Sequence, residues 1–162
     1  MKKTLLFALA LLIMAAVGVP SYGQTVQYGA TLGTVTLTKY ENSDNYRAYH
    51  LAWVCDATGR VTGNLTNIYG TIERVAFAPV AAASPTADYD VALKDVAGVD
   101  VLQGIGTNCS ATVAADNVPI IATAISSATT HHTPSVAGTL ALSITAAGVT
   151  KQGLLTIFVK QN

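Results

Sequence analysis

Charge is scarce in this chain: only 11% of its 162 residues are Asp, Glu, Lys or Arg, and nine bases match nine acids. A protein that holds nucleic acid neutralises phosphates with clustered Lys and Arg. Here the bases beyond residue 23 (Lys39, Arg47, Arg60, Arg74, Lys94, Lys151 and Lys160) stand singly, and seven of them against nine acids leave a net charge of −2. Nucleic acid and anionic membrane surfaces are therefore not expected partners. Cysteine is nearly as rare. Cys55 and Cys109 are the only two, with no CxxC or HxxxH companion, so the spacing of a zinc site is missing. Also missing are a GxSxG nucleophile elbow and a full dinucleotide loop, because Gly104-Ile105-Gly106 lacks the third glycine and the helix that would follow. No stretch beyond residue 23 offers three turns of helical periodicity with caps at both ends.

What is present begins with an export signature. Lys2 and Lys3 precede an uncharged apolar run over residues 5–19, and Ser21 and Gly23 are small residues at the −3 and −1 positions of a cleavage site before Gln24. The rival reading is a retained membrane anchor, since the run approaches the roughly 20 residues that span a bilayer. The signal-peptide reading divides the chain into a signal over 1–23, an extended tail over 24–32 and a single domain over 33–162, with no membrane contact after cleavage. It implies a secreted, extracellular or periplasmic product, or one on a virion surface. In an oxidising compartment an even cysteine count reads as a Cys55–Cys109 disulfide, contributing on the order of 4 kcal/mol through the unfolded chain. Two buried free thiols are the alternative.

Nearly every apolar segment that follows is short, rich in Val, Ile, Thr and Tyr, and bounded by Gly, Asn, Asp or Pro. Residues 33–40 alternate Val35, Leu37 and Lys39 against Thr34, Thr36, Thr38 and Tyr40. Residues 46–55 place Tyr49, Leu51, Trp53 and Cys55 on one side, the pattern of a central strand, and Asp56-Ala57-Thr58-Gly59 supplies a turn. A short extended piece lies near residues 65–68. Over residues 70–79, Thr71, Glu73, Val75 and Phe77 form the expected core face. Residues 85–106 read as a hairpin: Tyr89, Val91 and Leu93 alternate, Lys94 to Gly98 turns, and Val99 to Leu102 returns. A polar loop over 107–117, a strand over 118–124, a Thr/Ser/His-rich loop over 126–134 and strands over 138–145 and 154–160 complete the pass. The expectation is an all-β, antiparallel β-sandwich of about eight to ten short strands.

The acids and histidines are the side chains able to carry chemistry. Asp88 and Asp90, with Asp95 and Asp100, resemble a calcium or glycosidase constellation only in composition, for the loop lacks dense acidic spacing and no cleft is indicated. His131 and His132 are neighbours that face opposite sides of an extended chain. His50 reads as a strand residue. No catalytic, metal or cofactor residues are assigned, and the chain is read as non-enzymatic. Aromatic side chains (Tyr40, Tyr46, Tyr49, Trp53, Tyr69) concentrate in the first half, where exposed members would suit glycans or protein partners. The tail, with Gln24, Val26, Tyr28 and Leu32, is the candidate intersubunit arm, able to add to another copy's sheet edge.

Five runs taken together carry a family resemblance: residues 51–63 (LAWVCDATGRVTG), 70–79 (GTIERVAFAP), 85–93 (PTADYDVAL) and 98–108 (GVDVLQGIGTN), with the ending from Ala137 through Gly148, Lys151, Gly153 and Phe158. The pattern resembles a group of small all-β proteins common in tailed-phage and prophage genomes, over about residues 34–160. The resemblance implies a virion-associated structural module, a capsid decoration or tail accessory piece, whose partners are copies of itself or other virion or surface proteins. The signal peptide departs from that group, so the chain is expected to be either virion-borne or an exported relative that serves as a surface or filament subunit. A secreted glycan- or protein-binding module is the second expectation.

Overall fold

One strand of 19 residues organises the molecule. The computed structural model describes residues 30–119, 121–125 and 128–161. In chain order its strands are β1 (Ala30–Leu32), β2 (Thr34–Asn42), β3 (Tyr46–Val54), β4 (Val61–Pro79), β5 (Asp90–Lys94), β6 (Ala115–Asn117), β7 (Ile121–Ile125), β8 (Ala128–His132), β9 (Ser135–Thr145) and β10 (Gln152–Lys160). The only helical turn among the described residues is a 3-10 turn at Ala81–Ala83. Eight strands join in one antiparallel sheet along the path β2-β3-β10-β4-β9-β5, with β1 and β6 also paired to β4, and β7–β8 form a separate hairpin. The chain is therefore an all-β antiparallel sandwich.

The sandwich exists because β4 serves two layers. Its C-terminal half pairs with β10 on one edge and β6 on the other, and β3 and β2 follow beyond β10. Its N-terminal half pairs with β9 and β1, and β5 follows beyond β9. Buried positions along β4 run Val61, Gly63, Leu65, then Ile68, Gly70, Ile72, then Val75, Phe77, so the inward parity changes twice. Each change coincides with a register shift: one against β9 between Leu65 and Ile68, one against β10 that leaves Glu73 as the extra residue. Bulges of this kind bend a strand and increase its twist. Asn67, at φ 63°, takes the left-handed conformation that short polar side chains tolerate. The expected core face of this segment is thereby corrected. Val75 and Phe77 do point inward, but Ile72 replaces Thr71 and Glu73 there.

Both layers face a single core. Tyr49, Leu51, Trp53, Val75, Phe77, Leu155, Ile157 and Val159 come from one, and Val61, Leu65, Val91, Leu93, Leu140, Leu142 and Ile144 from the other. Trp53 meets Tyr89 across the layers with ring centroids 5.7 Å apart, a contact worth about 0.5–1.5 kcal/mol beyond its buried area. The indole lies over Gly153, its register partner, where a Cβ would come within 2.2 Å of the ring. Overpacking of that kind costs about 1–3 kcal/mol, so glycine is the residue that fits.

The stretch over residues 85–106 departs from a plain hairpin. The expected first strand forms as β5, and Asp95–Val99 closes a tight turn, with Asp95 N–H donating to Val99 O at 3.0 Å and Gly98 N–H to Asp95 O at 3.0 Å. The expected second arm does not form a strand. Lys94 and Asp100 make one isolated bridge, and residues 101–106 coil into successive turns. The reason is Asp100, whose carboxylate accepts from the N–H groups of Leu93, Leu102 and Gly104 and so draws the chain round on itself. Residues 126–134, read as a loop, include β8 instead, paired with β7 residue by residue from Ile125↔Ala128 to Ile121↔His132.

Candidate functional site

The outer face of the β2–β3–β10–β4–β6 layer gathers ionisable and aromatic side chains that lie far apart in the chain. Register sets two rows across it: Lys39, His50, Thr156, Ala76 and Asp116 in one, Glu41, Ala48, Phe158 and Arg74 in the next. Alternation puts these outside because Tyr49, Leu51, Ile157 and Val75 point in. In β2 the alternation is interrupted. The shift between Leu37 and Lys39 makes Thr38 an extra residue, which turns Lys39 and Glu41 outward and Tyr40 toward the core, 5.3 Å from Tyr49. The sequence pattern, taken without a bulge, had put Lys39 on the side of Val35 and Leu37.

A continuous set of contacts runs across these rows. Glu41 binds the Lys39 ammonium through Oε1, and its Oε2 lies 3.7 Å from His50 Nε2. His50 Nδ1 and Thr156 Oγ1 are 3.2 Å apart, and the imidazole meets Phe158 edge-on at 6.3 Å. The Arg74 guanidinium stands 3.7 Å above the other part of this aromatic contact, the Phe158 ring centroid, and its Nη1 is 3.3 Å from Asp116 Oδ2. The hydrogen bond from Lys39 and then its charge hold the Glu41 carboxyl below its ordinary range, with a smaller contribution from His50. Hydroxyl, imidazole and carboxylate stand in the order of a proton relay, but Thr156 is central in the sheet, its backbone flanked by His50 and Ala76 in the ladders. Oxyanion stabilisation needs N–H groups aimed at open space. Strand pairing on both sides of Thr156 commits its backbone to the ladders.

The other layer presents a different outer surface. Ala92, Ser143 and Thr62 form one row and Lys94, Ala141 and Asn64 the next, around an open depression of about 270 Å³. Small side chains on three adjacent strands produce the hollow, and Lys94 stands at its rim.

The residues singled out in the sequence are dispersed. Cys55 and Cys109 are buried free thiols, which corrects the expected disulfide. Each has its own setting: Cys55 N–H donates to Lys151 O, while Cys109 lies opposite Tyr89 with its Sγ 3.3 Å from Gly106 O. Burial pushes both thiols up to about 11 and the Tyr89 phenol to about 12, which keeps them protonated and unreactive at neutral pH. The acids of the hairpin do structural work. Asp90 accepts from Asn108 N–H and Asp95 from Ala97 and Val99 N–H, whereas Asp88 is exposed at φ 61°. His131 and His132 fall in β8, opposite Ala122 and Ile121, and no group of three His, Cys, Asp or Glu is gathered among the described residues. Leu32 pairs with Thr62 of its own chain, while Gln24, Val26, Tyr28 and the signal-peptide segment lie outside the described residues.

Sequence reasoning missed the pairing of His50 with Thr156, which are 106 residues apart. Only the polar outward positions of two strands hinted at it. Compared with known proteins, the chain matches no family model, no curated protein and no solved structure.

Proposed function

We propose that this chain is a non-enzymatic structural subunit that assembles with copies of itself or with other surface proteins, in a virion or on an extracellular surface or filament. The observation that carries the reading is the placement of exposed apolar side chains. Of the nine large ones among the described residues, five are valines in loops (Val96, Val99, Val113, Val118 and Val149), and Val96 is 80% exposed. Two of them share the Asp95–Val99 turn, so a close-packed scaffold presents an apolar tip where a polar one would serve a solitary protein. The sheet margins support contact through loops and faces over strand addition: the outer edge of β5 is occupied by residues 100–106, with Val91 N–H on Gly106 O and Val101 N–H on Leu93 O at 2.7 Å. Edge strand β2 carries a bulge and the Lys39–Glu41 pair, features that discourage edge-to-edge pairing.

Light scattering and negative-stain microscopy of the exported full-length product, with mass spectrometry of its N-terminus, test this reading. Ordered oligomers beginning at Gln24 are expected. A product that stays monomeric at high concentration and forms no assembly overturns it. A second reading, a secreted module that binds glycans or proteins, is favoured by the half-exposed Tyr46 and Leu154 on the same outer face as Phe158 and Arg74. It would show as ligand-induced shifts confined to those residues in a monomeric protein.

A further inference from the structure

His50 Nε2 is a buried polar atom with no hydrogen-bond partner, at the centre of an otherwise connected surface. Buried polar atoms are rarely left so, and each such case needs a reason. The nearest acceptor is Glu41 Oε2 at 3.7 Å, just beyond hydrogen-bond reach. Lys39 occupies the other carboxylate oxygen, so Oε2 is turned toward the imidazole. Thr156 holds the opposite ring nitrogen, which fixes the ring with Nε2 directed at β2.

We propose that His50 is a pH-sensitive clasp for edge strand β2: a proton on the imidazole makes both ring nitrogens donors and draws Glu41 onto Nε2. The clasp joins β2 to β3 through side chains in addition to the backbone ladder. The groups that face the ring are accounted for on every strand around it. From β2 come Lys39, which stays on Oε1, and Glu41. From β10 come Thr156 and the apolar Phe158. From β4 comes Arg74, which lies over Phe158 and is paired with Asp116 of β6.

Glu41 is held below its ordinary carboxyl range by Lys39, so it stays ionised through the weakly acid region. The clasp is closed while the imidazole carries a proton and opens when that proton leaves. It is lost again only at the acid end, where Glu41 itself is protonated.

Hydrogen exchange of the β2 amides, corrected for intrinsic rates and read at about pH 5 and about pH 8, tests the clasp on the full chain. Protection of Thr34–Asn42 is expected to be about two- to fivefold greater at the lower pH, the effect of one partly exposed ion pair, with no such change in β9. Glu41→Gln and His50→Gln should each abolish the difference while leaving the fold intact, since glutamine at 50 can still bond to Thr156. A pH effect that survives in Glu41→Gln, or that is missing from the unaltered protein, or that spreads equally to β9, overturns the proposal.

Discussion

Two turns in this molecule are the same object in different surroundings. Asp56-Ala57-Thr58-Gly59-Arg60 and Asp95-Val96-Ala97-Gly98-Val99 each begin with an aspartate whose Oδ1 accepts from the N–H groups two and four residues on, at 2.8 and 3.0 Å in the first and 2.9 Å for both in the second. In each the fourth residue is a glycine at positive φ, 75° and 81°. In each the first and fifth residues close the loop backbone to backbone at 3.0 Å. The neighbourhoods differ. A Cβ on Gly59 would lie 3.1 Å from the backbone of Gly148 in the turn between β9 and β10, whereas one on Gly98 would meet nothing. An Asp-x-x-Gly motif specifies the loop, then, and packing decides how much of the fold depends on it.

Alanine at the two glycines is the most severe way to probe that difference. Gly59→Ala combines the left-handed penalty with a tight approach to the Gly148 backbone and should cost about 2–3 kcal/mol, read as a lowered urea midpoint. Gly98→Ala meets only the conformational cost of about 1 kcal/mol. Equal losses would mean that the contact with Gly148 is of no consequence. Next come the aspartates: Asp56→Ala and Asp95→Ala each orphan two turn N–H groups and should cost about 1–2 kcal/mol apiece in the same measurement, Asp56 the more because its Oδ1 also accepts from Thr58 Oγ1.

Acid probes the first turn on its own. Hydrogen bonds from Thr58 and then Arg60 hold Asp56 below its ordinary carboxyl range, so its contribution is present above the unfolded value near about 4 and is lost as the pH falls through the lower folded value. Urea midpoints measured between about pH 5 and about pH 2 should therefore decline less steeply for Asp56→Asn than for the unaltered chain. The smallest effect on stability is expected at the exposed tip. Val96→Ser should change the unfolding free energy by no more than about 0.5 kcal/mol while reducing oligomer formation in light scattering. Unchanged assembly would remove the apolar tip from the contact surface.

Much of the architecture could be read from the order of residues. The face carrying Tyr49, Leu51, Trp53 and Cys55 is buried as its period of two requires, and β5 and β10 lie where the alternation put them. The errors cluster at bulges. Nothing in Gly70-Thr71-Ile72-Glu73-Arg74 distinguishes an unbroken strand from one that sets Glu73 aside, because Ile72 and Val75 are equally apolar and only the partner strand settles which is counted. The polar run at Ala128–His132 is misread for a related reason: its pairing with β7 is a backbone matter that a Thr- and His-rich composition does not advertise. The candidate site was less legible still. His50, Thr156, Glu41, Arg74 and Asp116 come from five strands, and no local pattern links them.

The amino-acid sequence by itself determined the all-β class, the two Asp-x-x-Gly turns and most of the inward-facing side chains, since these follow from alternation and from hydrogen bonds within a few residues. Only the tertiary structure decided that β4 would bend through two layers, that the cysteines would stay apart as thiols, and that a histidine and a threonine would meet across a ladder. Those outcomes depend on strand register, which is a property of pairs of distant segments and changes outward faces for inward ones with every residue it gains or loses.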